Sequence, residues 1–148
     1  MTNRIMLNKN EQARRFTIIL QNEGQELASW SLPLPVRKGW LRKRILIHEG
    51  EITSVVKKNG NATELLDKMQ RIFERLAFET SLPVVHRPII MNERARKLFT
   101  KQGYKPLITS LAFPFQHQKT FHGREVELAQ DETEVLKAMK EALVPKAT

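Results

Sequence analysis

The segment Val55–Leu66, VVKKNGNATELL, runs two β-branched residues through a basic, glycine-containing turn into an apolar helical pattern. Leu65, Leu66, Met69, Ile72, Phe73 and Leu76 recur at the spacing of one α-helical face. Asn61 stands where an N-cap belongs, and Glu64 three residues later completes a capping-box pattern. The spacing predicts a helix from about Ala62 to Thr80, ended by Pro83. A helix N-terminus offers unpaired N–H groups and a partial positive charge. A strand that feeds it through a glycine turn aims those groups at an anion. Gly60 allows close approach, Ala62 stays small, Lys57 and Lys58 add charge, and Thr63 adds a hydroxyl. A plain capped helix start accounts for the same residues, and Glu64 places negative charge in the first turn.

Upstream, residues 1–13 read as a loose arm or a short helical turn. Phe16–Leu20 and Glu26–Leu32 read as strands of a hairpin turned by Asn22–Gln25, and Pro33 and Pro35 end it. Leu41–His48 and Glu51–Val56 read as a second hairpin turned at Glu49-Gly50. Downstream, PVVHRPII is a short buried strand interrupted by Pro88. A second helix runs from Asn92 to Gln102, with Ala95, Leu98 and Phe99 as its apolar stripe and Gly103 at C′. Lys105–Phe115 reads as a strand and HQKTFHGRE as loop or hairpin turn, with one more strand left open before the last helix. Residues 131–143 form a closing helix with Val135, Leu136, Met139 and Leu143 inward. The expectation is one α/β domain over residues 1–148, a mixed, mostly antiparallel sheet with helices on both faces.

A chain of 148 residues, 41% hydrophobic, has a globular composition. It contains no cysteine, which excludes disulfides and a thiol nucleophile and fits a cytoplasmic protein. It contains no apolar run of membrane-spanning length and no signal-like N-terminus. The net charge of +9 favours anionic partners. The four histidines show no zinc spacing, so no metal is expected. Arg37, Lys38, Arg42, Lys43 and Arg44 surround Trp40, a pattern that suits a nucleic-acid backbone with one stacked base. A solvated hairpin edge explains the same residues.

The segment IIMNERARKLFTKQGYKP places Asn92, Ala95, Leu98, Phe99, Gly103 and Tyr104 in a spacing that resembles the N-x-x-A-x-x-L-Y/F-x-x-x-G-F/Y pattern of the GNAT superfamily, the Gcn5-related N-acetyltransferases. Lys57-Lys58-Asn59-Gly60-Asn61-Ala62 stands where that family carries its Q/R-x-x-G-x-G/A acyl-CoA signature, with Lys57 in place of Gln or Arg. The likeness covers about Leu41 to Phe113. It implies an acyl-CoA-dependent N-acyltransferase, acetyl-CoA being the usual donor and an amine the acceptor. The acceptor is unidentified, and the basic surface suggests an anionic or nucleic-acid-bound one. The resemblance further implies that Lys58–Thr63 hold the pyrophosphate and that Val55 and Val56 offer backbone to the pantetheine arm. Asn92 would lie near that arm, Arg96 or Lys101 near the nucleotide phosphates, and Glu51 would be the general base, with Glu49 second. The strands Glu51–Val56 and Pro83–Ile89 would splay apart around the cofactor.

Three departures accompany it. The family's usual Tyr acid is Phe99 here, which has no proton to give. Tyr104 sits at the family's aromatic packing position. About fifteen residues precede Phe16, where the family has a strand and two helices that wall the acceptor site. A competing reading is therefore a non-catalytic module of this fold that binds nucleic acid or a protein through its basic face, and a homodimer fits an open sheet edge.

Overall fold

The first hairpin forms as its alternation requires. The structure, a computed structural model, describes residues 3–39, 43–48, 51–54, 60–90, 93–107 and 115–143. Strands β2 (Arg15–Asn22) and β3 (Gln25–Pro33) pair antiparallel, burying Phe16, Ile18 and Leu20 against Ala28, Trp30 and Leu32. Their turn uses Glu23 and Gly24, both with positive φ (50° and 82°), as two-residue hairpin loops need.

The expected arm at residues 1–13 is instead a strand, β1 (Arg4–Asn10), paired with β2 from Arg4↔Gln21 to Asn10↔Arg15. Ile5 points inward and is buried, with Leu7 beside the core, while the intervening side chains are polar or exposed. So short an alternation, ending in Asn-Lys-Asn, reads as a polar tail. The outer edge is tied down as well, because Ile5 N–H donates to Asp131 Oδ2 at 2.7 Å. Residues 11–14 turn the chain directly into β2, in place of the two helices the resemblance implied.

The second expected hairpin is also corrected. Strand β4 (Val36–Lys38) pairs with β5 (Arg44–His48), and β3 pairs with β6 (Glu51–Ser54). Ala28↔Ser54 through Ser31↔Glu51 and Val36↔Leu46 through Lys38↔Arg44 lie on one continuous register. Gln25–Lys38 and Arg44–Ser54 are thus the two arms of one long hairpin, with Gly39 (φ 97°) at its tip. Leu41–His48 and Glu51–Val56 do not oppose each other; their described parts share one arm. Glu49 and Gly50 lie outside the described residues. Pro33 and Pro35 lack N–H donors and break the ladder midway, and that break imitates a turn.

Helix α1 (Asn61–Thr80) follows, then β7 (Val84–Arg87), β8 (Ile89–Ile90), α2 (Glu93–Lys101), β9 (Lys105–Pro106), β10 (Phe115–Phe121) and α3 (Gln130–Leu143). The segment HQKTF, read as loop or hairpin turn, is most of β10, the further strand left open by the sequence, which pairs with β7, β8 and β9. His117 and Lys119 alternate with Phe121 on one side of the strand, so polar residues hide its period. Strand β5 runs parallel to β7, and every other ladder among the described residues is antiparallel. Where helices on both faces were expected, the three described helices all lie against one side of this mixed sheet, since their apolar stripes share one core. Phe73 of α1 meets Trp30, His86 and Phe121, Phe99 of α2 meets His86, and Val135, Leu136 and Met139 of α3 complete the same core with Ile5.

The capping box at Asn61 is corrected: the N-cap is Gly60, Asn61 is the first helical residue, and no side chain caps the helix. Glu64 accepts instead from Asn3 Nδ2 at 2.8 Å. At the end of α2, Gly103 (φ 91°) is the C′ residue expected, and Tyr104 N–H returns to Phe99 C=O at 3.0 Å.

Residues 122–129 run along α1 and lead to α3. Arg75 Nη1 donates to Val126 C=O at 3.0 Å, Arg71 donates to Glu127 C=O, and Glu132 closes the strap. The Glu132 side chain is fully buried, 3.3 Å from Arg71 Nη1 and 3.8 Å from Lys68 Nζ, and it accepts the Ala129 N–H at 2.8 Å. Glu132→Gln removes a buried charge whose partners remain, Arg71 being half exposed. Urea titration should show a loss of about 2 kcal/mol, against little change for the exposed Glu134→Gln.

Candidate functional site

The parallel ladder is short. Among the described residues it runs from Ile45↔Val84 to His48↔Arg87. Beyond it β6 stays with β3, and β8 stays with β10. Among the described residues no ladder joins β6 to β8, so the sheet parts there. Pro88 is the next residue on the β7 side and has no N–H with which to extend the pairing. Parted strands leave backbone donors and acceptors facing a cleft.

Helix α1 starts beyond the end of β6 and α2 beyond the end of β8, so both helix N-termini belong to the parted end of the sheet. Gly60 is exposed, with φ 100° and ψ −11°, and nothing lies within 4 Å of where a Cβ would stand. Its C=O accepts the Glu64 N–H at 2.8 Å. Asn61 is buried; Ala62 and Thr63 are half-buried. Val55, Val56, Lys57, Lys58, Asn59 and Asn92 lie outside the described residues. Glu51 begins β6 opposite Ser31, and its backbone alone is described.

Arg96 lies on α2, but Glu93 holds it. Its Nε donates to both Glu93 oxygens, at 2.9 and 3.0 Å, and Nη2 adds a third contact. The hydrogen bond to Arg96 lowers the Glu93 carboxyl, and the same bond raises the guanidinium. A role on nucleotide phosphates would require Arg96 to leave Glu93. Arg37, Lys38 and Lys43 are exposed and Arg44 is half-buried at the tip of the long hairpin; Trp40 and Arg42 lie outside the described residues. Among the described residues no group of His, Asp and Glu could hold a metal ion.

Beneath α1 lies a polar cluster that no local pattern announces. Tyr104, 1% exposed, sits 2.6 Å from His86 Nδ1 through its hydroxyl. The Phe99 ring packs 5.0 Å from that of Tyr104, so Tyr104 is the core aromatic expected of its position. Burial holds the His86 imidazole down at about 3 and pushes the Tyr104 phenol well up. A neutral His86 and a protonated Tyr104 make the phenol the donor to Nδ1, which places the imidazole proton on Nε2. His86 Nε2 and Trp30 Nε1 have no hydrogen-bond partner among the described residues, and the two rings stand 4.9 Å apart. Nearby, Lys119 Nζ donates to Gln70 Oε1 and, at 2.8 Å, to Gln102 C=O. Burial lowers the Lys119 ammonium. These residues are far apart in sequence, so only the fold brings them together.

No protein-family model matches the sequence, and no curated protein does. Solved structures do match. The AtaT–AtaR complex bound to DNA superposes with a TM-score of 0.55 at 10% identity, over 88% of this chain and 74% of that one. AtaTR bound with acetyl-CoA gives 0.53 at 12% identity, over 88% and 74%. The KacTA–DNA complex gives 0.50 at 10% identity, over 86% and 73%. The chain has a GNAT-like fold in a divergent form. No described helix is long and apolar enough to cross a membrane.

His86 makes a pH prediction. It stays neutral in the fold down to about pH 3, whereas the unfolded chain binds that proton near 6.5. Its stabilising contribution is complete above pH 6.5 and is lost as the pH falls towards 3. Between pH 6.5 and 5 the loss should be roughly 1.5 kcal/mol. Urea titrations of wild type and His86→Gln at both pH values should differ by about this amount in their pH dependence.

Proposed function

We propose that the chain binds an acyl-CoA, acetyl-CoA in the first instance, in the cleft between β6 and β8 and transfers the acyl group to an amine. The observation that carries this is the parting of the sheet beyond His48↔Arg87, at the end where α1 begins with an exposed glycine. The residues fit the group. A helix N-terminus aims its first amides at an anion, and the space around Gly60 is open. The flanking Lys57 and Lys58 would supply positive charge, Val55 and Val56 backbone to the arm, and Asn92 a polar group near it. AtaTR, of the same fold, has been solved with acetyl-CoA.

A bound acyl-CoA supplies a thioester carbon open to attack by an amine. The chain's own part is positional and electrostatic. The α1 amides hold the phosphates, the freed edge of β6 aligns the arm, and Glu51 takes the proton that the attacking nitrogen loses as the C–N bond forms and the C–S bond breaks. Phe99 offers the departing sulfur no proton, so water supplies it.

A second reading has its own support. Phe99 is buried and has no hydroxyl, and Arg37, Lys38, Lys43 and Arg44 form no ion pair among the described residues. A module of this fold without transferase activity would use that hairpin, with Trp40 and Arg42, to hold nucleic acid.

Calorimetric titration with acetyl-CoA tests the first reading. Wild type should bind, Gly60→Ala should bind somewhat more weakly through backbone strain at positive φ, and Gly60→Asp should lose at least tenfold more through charge. Absence of binding at millimolar acetyl-CoA overturns the reading. Equal binding by Gly60→Asp removes the phosphate site from α1.

A further inference from the structure

We infer that the helix-free face of the sheet is a binding surface for the sugar–phosphate backbone of nucleic acid. This rests on the second reading above, in which the basic hairpin contacts nucleic acid, and carries that contact across the sheet.

Alternation separates the two faces. Phe16, Ile18, Leu20 and Trp30 point towards the helices, so Arg15, Thr17, Ser29 and Ser31 point away. In the other half Ile47, His86 and Lys119 are paired neighbours on the helix side, so Arg44, Leu46, Val85, Arg87 and Gln118 belong to the opposite side. The same registers place Arg4, Lys38 and Lys105 there, next to Gln21, Arg44 and Gln118. The face thus carries Arg4 and Arg15 on β1 and β2, Lys38 and Arg44 on β4 and β5, Arg87 on β7 and Lys105 on β9. Neighbouring strands stand about 4.8 Å apart. Cations on strands spread across the sheet make a band, which suits a chain of phosphates better than one small anion.

None of these six is ion-paired among the described residues. Two are held by neutral oxygens instead. Arg15 Nε donates to Ser31 Oγ at 3.1 Å, and Arg87 Nε donates to Gln118 Oε1 at 3.0 Å. Each bond orients a guanidinium without neutralising it, which leaves its charge available to a phosphate. Burial lowers the Arg87 guanidinium, and the charge of Arg44 lowers it further, so like charges are held within reach of one another. The carboxylates are concentrated elsewhere: Glu64, Asp67, Glu74 and Glu79 lie on α1, and Asp131, Glu132, Glu134 and Glu141 on α3. On the basic side the register sets Glu26 at the hairpin end. An unpaired basic sheet face presents its charge to a polyanion. The face presents no exposed aromatic among the described residues, so recognition there goes to phosphate and not to base.

Fluorescence anisotropy with a labelled single-stranded RNA and a duplex DNA of equal length, at several salt concentrations, tests this. Wild type should bind with log K falling linearly in log salt. Arg15→Gln and Arg87→Gln should each flatten that slope by about 0.7 to 0.9, the value of one lost phosphate contact. Lys137→Gln, on α3, should leave it unchanged, and thermal melting confirms that the variants fold. Binding that responds to Lys43→Gln but not to Arg15→Gln or Arg87→Gln overturns the inference and keeps the hairpin reading. The reverse pattern keeps the face and removes the hairpin. No binding to either probe overturns both.

Discussion

Missing amide protons shape this molecule. Pro33 and Pro35 interrupt one arm of the long hairpin, and Pro88 stands where the parallel ladder between β5 and β7 ends. A strand that cannot donate at one position loses a ladder bond there, and its neighbour is free to follow another partner. On one side of the break β6 remains with β3; on the other β8 remains with β10. The cleft is the space left when two strands paired at one end keep different company at the other. Both helices that border it begin at that end.

What keeps the parted sheet from coming apart lies under α1. Trp30 from β3, His86 from β7, Phe73 from α1 and Phe121 from β10 touch one another across the divide, with ring centroids 4.9 to 6.2 Å apart. These contacts join the two halves of the sheet where hydrogen bonding has stopped doing so. Two ring nitrogens inside this cluster have no partner among the described residues. The cost is of the order of 1–3 kcal/mol for each buried polar group. Strong packing on all sides, and the Tyr104 hydroxyl on Nδ1, offset it. The strap of residues 122–129 adds a second tie, since its carbonyls and Glu132 engage Arg71 and Arg75 of α1.

Elements with a strong period were legible from the sequence. The stripe from Leu65 to Leu76 sets the buried face of α1, and Gly103 closes α2 as its position suggested. The failures share a cause. Strand β1 has too few apolar residues to show its alternation, and β10 fills inward positions with His117 and Lys119. The long hairpin is cut by prolines that look like an ending. In each case burial is supplied by a distant neighbour, such as Tyr104 for His86 or Gln70 and Gln102 for Lys119, and a local window contains neither.

The candidate cradle divides the same way. The amino-acid sequence by itself determined that a helix starts after a basic glycine turn, because spacing and φ preference are local properties. It could not determine that Gly60 rather than Asn61 is the cap, that Glu64 turns to Asn3, or that Glu93 occupies Arg96. Those outcomes depend on which groups the fold brings within hydrogen-bonding distance. Above all, the division of the sheet into a helix-covered face and a basic face follows from strand register, and register is decided only when the strands have chosen their partners.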